Sequence, residues 1–94
     1  MMRFLSLALA LSLVVVPLAA QKHVPDGELI DQVRVRLAND PDVGGVKIDV
    51  DAHDGAVTLT GKVKSDKQRV KAEKLARKVK GVISVNNQLV ISPD

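Results

Sequence analysis

The sequence predicts an α+β domain of order helix, strand, strand, helix, strand (αββαβ), with both helices packed on one face of a three-stranded sheet. Three observations predict it. Two stretches carry apolar residues at helical spacing between residues that start and stop helices. Three others alternate apolar and polar residues as half-buried strands do. An Asp-Gly pair separates the first two alternating stretches and marks a tight hairpin.

The first helix opens at Pro25 and Asp26, places Leu29, Ile30, Val33 and Leu37 along one side, and stops at Asn39, Asp40 and Pro41. Gly44-Gly45 then reads as a flexible connection. Val46, Ile48 and Val50 alternate with Lys47, Asp49 and Asp51, and Val57, Leu59 and Val63 alternate with Thr58, Thr60 and Lys62. Between them lies Ala52-His53-Asp54-Gly55, where a turn needs positive φ, which glycine adopts freely and aspartate tolerates. The second helix starts at Ser65, with Gln68 three residues on to complete a capping box. It presents Ala72, Leu75, Ala76 and Val79 to the core and ends at Gly81. In the last strand Ile83, Val85, Leu89 and Ile91 share one face with Asn87, a polar intruder that needs partners. Ser84, Asn86 and Gln88 share the other. The crossover through the second helix makes the second and third strands parallel; pairing of the third strand with the first or with the second stays open.

Residues 1–20 have the layout of a secretory signal peptide: Arg3, an apolar run from Phe4 to Val16, Pro17, and the small pair Ala19 and Ala20. Residues 21–25 then form a flexible tail and residues 26–94 the domain, so the mature chain is expected to be exported. The chain has no cysteine, which removes disulfides and lipidated cysteine from consideration. A mature chain of about 74 residues sits near the size at which apolar burial alone offsets chain entropy, so weak homo-oligomerisation through an edge strand is an expectation. Charge divides unevenly: Gln21–Asp54 holds four Lys or Arg against eight Asp or Glu, and Gly55–Asp94 holds nine against three, a net −4 followed by +6.

Catalysis finds little material. The only histidines are His23 and His53, tyrosine and cysteine are absent, and Ser65, Ser84 and Ser92 have no base in a nucleophile setting. The acidic stretch Asp49–Asp54 fails as a calcium loop: counted from Asp49, position 5 is His53, position 6 is Asp54 and position 12 is Thr60. No metal or cofactor is expected. The mature chain has no aromatic side chain on which a nucleic-acid base would stack, and the leader exports it, so nucleic acid is not an expected partner.

With these elements in order, the residues resemble the BON domain (bacterial OsmY and nodulation) family, as a single-domain exported member. The resemblance rests on Ile30, Val33 and Leu37 with Asp40 and Val43; on Ile48, Val50, Asp54-Gly55, Val57, Leu59, Gly61 and Val63; on Ala72 and Ala76; and on Gly81-Val82, Val85, Asn87, Leu89 and Ile91. It implies an exported bacterial protein that binds rather than catalyses, located in the periplasm and peripheral to a membrane, associated with osmotic or envelope stress and with phospholipid membranes. Many members carry two such domains; here there is one. The residues that fit this implication are Lys67, Lys71, Lys74 and Lys78, spaced i, i+4, i+7, i+11 along one side of the second helix. Such a row attracts an anionic phospholipid surface, though a lysine row is also an ordinary solvated helix face. The other reading is a soluble periplasmic protein-interaction or chaperone-like stress module, meeting envelope proteins through the sheet face of Thr58, Thr60, Ser84, Asn86 and Gln88.

Overall fold

The computed structural model describes residues 23–93. The predicted leader and its cleavage point lie outside the described residues. The elements are α1 (Asp26–Ala38), β1 (Ile48–His53), β2 (Ala56–Val63), α2 (Asp66–Arg77) and β3 (Ser84–Ile91). Strand order is β1-β2-β3. β1 and β2 are antiparallel, β2 and β3 parallel. The question of the third strand's partner is thus settled in favour of the second, and β1 and β3 are the two edges.

The hairpin follows its sequence signal. His53 pairs with Ala56, leaving Asp54 and Gly55 as a two-residue turn with φ of 48° and 87°. Both central residues are left-handed, the condition for a primed turn whose twist matches the strands it joins. Asp26, the first residue of α1, holds this turn to the helix by accepting the Asp54 N–H at 3.0 Å.

One face of the sheet is covered by both helices. The core comprises Leu29, Val33 and Leu37 of α1, Val43 after it, Val50 and Ala52 of β1, Val57, Leu59 and Val63 of β2, Ala72, Ala76 and Val79 of and after α2, and Leu89 of β3. Leu29, not Ile30, is the central residue of α1; Ile30 is half-buried beside it. The alanines at 72 and 76 bring α2 close to the strands. Val24 packs against this core.

Two apolar residues depart from the sequence pattern. Ile83 is 79% exposed because it precedes β3 and lies across Gly55, where a Cβ would stand 2.7 Å from its Cδ1. Ile91 is 42% exposed at the end of an edge strand that, among the described residues, has no neighbour on one side. Gly44 also differs from expectation. It is a close backbone approach rather than a flexible joint, since a Cβ there would stand 2.5 Å from the Ala38 carbonyl oxygen and 2.6 Å from that of Asp40.

Candidate functional site

Helix α2 is fixed from its ends and its inner face. Ser65 is extended and its Oγ accepts the Gln68 N–H at 3.2 Å. The Gln68 side chain reaches back to accept the Lys64 N–H at 2.7 Å and donates to the Asp42 carbonyl at 2.8 Å. Asp66 in the first turn and Lys74 and Arg77 in the last complement the helix dipole. Ala72 and Ala76 are fully buried, so the opposite side, bearing the lysines, faces solvent.

The four lysines are not equivalent. Lys67, Lys74 and Lys78 are exposed and, among the described residues, make no ion pair. Lys71 is half-buried, with Nζ 2.9 Å from Asp42 Oδ2 and 3.4 Å from Asp40 Oδ2, on the loop after α1. The hydrogen bond to Asp42 raises the Lys71 ammonium above the usual lysine range, against desolvation, with both carboxylates helping. Desolvation pushes the Asp40 carboxyl upward, but the amides of Asp42 and Val43 and the charge of Lys71 outweigh it and hold Asp40 below its usual range. Lys71 therefore anchors α2 to the loop, and Lys67, Lys74 and Lys78 form the available row. No spacing rule connects Lys71 to a partner 29 residues away, so the sequence gives no sign of this division.

The arginines on the flank are also engaged. Arg69 binds Asp66 and Arg77 binds Glu73, each at 2.6 Å. Chiefly through Arg77, and next through Asn87, Glu73 is held below the usual carboxylate range despite desolvation. Asn87, the polar intruder, has its partners here: Nδ2 donates to the Arg69 carbonyl at 2.9 Å and to Glu73 Oε1 at 3.2 Å, while Oδ1 accepts the Leu89 N–H at 3.1 Å. It ties α2 to β3. Val70, 41% exposed on the outer side of α2 next to Lys67 and Lys74, is an apolar element that the lysine spacing did not reveal.

Elsewhere the surface is less directed. The open sheet face carries Thr58 opposite Asn86 and Thr60 opposite Gln88, with Asp51 and Asp49 completing those rows on β1. A groove of about 550 Å³ between α1 and the end of α2 has Val35 and Val79 along it, with Glu28 and Asp31 opposed by Arg36, Lys78 and Lys80. His53 lies between Asp54 at 3.3 Å and Asp26 at 3.7 Å. Among the described residues no group of three or more His, Asp or Glu side chains is placed to hold a metal ion. No described helix is long and apolar enough to cross a membrane.

Two helices cover one face of a small mixed sheet, and the second of them turns a basic side to solvent. The BON domain family model matches residues 25–93, and the chain belongs to that family. A search of curated proteins gave no match. BON domains are binding domains, and the family supports a membrane or phospholipid-binding module of envelope or osmotic-stress proteins.

Proposed function

We propose that this chain is an exported envelope protein, its leader removed near Ala20, whose BON domain rests on anionic phospholipid through the outer face of α2. One observation carries the reading. Among the described residues Lys67, Lys74 and Lys78 stand exposed and without an ion pair along the side opposite Ala72 and Ala76, with Val70 beside them. From Lys67 to Lys78 the row spans about 16 Å of helix. A basic residue near an anionic leaflet contributes roughly 1 kcal/mol, so three together favour the bound state by on the order of a hundredfold. Lys71 adds less, since its charge is matched by Asp40 and Asp42. The contact is peripheral and reversible, and belongs to a protein that meets the envelope under osmotic or envelope stress.

The test is co-sedimentation of residues 21–94 with neutral and with anionic vesicles at low and physiological salt. Binding to anionic vesicles alone, weakened by salt because screening shortens the reach of exposed charges, is expected. Changing Lys67, Lys74 and Lys78 to Gln should abolish it, whereas Lys71→Gln should leave most of it. Salt-independent binding, or binding the triple variant retains, would remove the lysine row as the contact, and no binding under any condition would transfer the function to the uncharged centre of the sheet face and to a protein partner.

A further inference from the structure

The two edges of the sheet are built differently. β1 is guarded by charge: Asp49, Asp51 and His53 on the strand and Lys47 and Asp54 beside it are all exposed. β3 is not. From Gly81 to Ser92 there is no charged residue, and Ile83, Val90 and Ile91 are 79%, 58% and 42% exposed. Folded proteins commonly protect a long edge strand with charge, proline or a bulge, because its free amides and carbonyls otherwise template a further strand. Ser92 donates to the Val63 carbonyl and Ser84 to that of Gly55. The even-numbered residues therefore turn their amides to β2, and Val85, Asn87, Leu89 and Ile91 turn theirs to the open edge.

We infer that β3 is a self-association edge: a second copy of this chain adds its own β3 antiparallel to it, about a two-fold axis through Asn87, making one continuous six-stranded sheet. The second copy is the occupant that the charges favour. Pairing β1 with β1 would bring the aspartates of two copies together, whereas β3 meets β3 with no charge on either side. In this register the Asn87 amides and carbonyls exchange across the axis, and the Val85 N–H meets the partner's Leu89 carbonyl. Ile91 falls at the end of the pairing, opposite the partner's Ile83, which precedes β3 and lies across Gly55, and Val90 faces the partner's Ser84 on the open side. Asn86 faces the partner's Gln88 on the open side. Asn87 Oδ1 already holds the Leu89 N–H, which removes one donor from each strand and keeps the association reversible. A contact of this size belongs to the weak, transient class. A two-fold axis perpendicular to the sheet places both α2 helices on the same side, so two rows of Lys67, Lys74 and Lys78 face one surface; that bivalency rests on the lipid reading above, while the dimer does not.

The test is sedimentation equilibrium on the full-length gene product, purified as the cell processes it, with a charge-reversal pair in β3. The wild type should show a reversible monomer–dimer equilibrium. Asn86→Lys with Gln88→Lys sets like charges opposite each other twice and should weaken it about tenfold or more, as should Asn86→Glu with Gln88→Glu. An equal mixture of the two variants should recover association as a heterodimer, which a misfolded variant would not do. A wild type that stays monomeric at near-millimolar concentration, variants that dimerise as the wild type does, or a mixture that fails to recover, would overturn the inference. A dimer that ignores anionic vesicles would overturn the lipid reading and leave this one standing.

Discussion

Replacing Asn87 with Ala separates a working polar side chain from a tolerated one. The half-buried amide makes the three hydrogen bonds to Arg69, Glu73 and Leu89, between 2.9 and 3.2 Å. A net hydrogen bond contributes about 1 kcal/mol, and rather more where one partner is charged, as Glu73 is. Two features reduce the sum. The Leu89 N–H lies on the open edge, where water replaces Asn87, and the Glu73 side chain is 30% exposed with Arg77 still bound to it. The expected loss is therefore about 2 kcal/mol, which in a domain this small lowers Tm by on the order of 10 °C. Urea unfolding followed by far-ultraviolet circular dichroism measures it, with an unchanged m-value showing that the unfolded state is not altered. Asn87→Asp should cost more than Ala at neutral pH, because a second carboxylate then faces Glu73, and the gap should close as the solution is acidified. A loss below about 0.5 kcal/mol for Asn87→Ala, within the range of ordinary surface substitutions, would refute the role given to this side chain.

The loop after α1 gives a paired test. Gly44→Ala drives a Cβ into two backbone carbonyls and should cost on the order of 2 kcal/mol, whereas Gly45→Ala meets nothing within 4 Å and should be close to neutral. Acid should destabilise the domain through Glu73 and Asp40. Both carboxyls sit below their ordinary range when folded, so their contribution is present above the ordinary carboxylate range and lost as pH falls through the lowered folded values. Lys71 has the opposite sense: its ammonium is raised, so its contribution is present below about pH 10 and lost only as pH rises through the raised value. The urea midpoint measured against pH should be flat near neutrality, fall below about pH 4, and fall less in Arg77→Gln, which removes the chief cause of the Glu73 depression.

Elements set by local chemistry were legible in the sequence. The Asp54-Gly55 turn, the Ser65 cap and the alternation of β1 and β2 each follow from residues a few positions apart. What required the structure were interactions closed by the tertiary fold. The i, i+4, i+7, i+11 spacing placed Lys67, Lys71, Lys74 and Lys78 on one side of α2 but could not show that Asp40 and Asp42, on a loop 29 to 31 positions back in the chain, take Lys71. Asn87 was visible as an exception to the apolar pattern, yet its partners come from α2 and from its own strand edge. Ile83 and Ile91 fit the alternation and are nonetheless exposed, because alternation records which side a residue faces and not whether another element covers it.

The contact proposed with an anionic surface is the outer face of α2. The chain has no cysteine, so one introduced thiol can carry a polarity-sensitive dye at a single chosen point. Val70→Cys puts it among the free lysines, and Asn86→Cys puts it on the open sheet face. With anionic vesicles at low salt, the dye at position 70 should shift to the blue and be shielded from an aqueous quencher, while the dye at position 86 remains wet; the reverse pattern, or no change at position 70, would contradict the account.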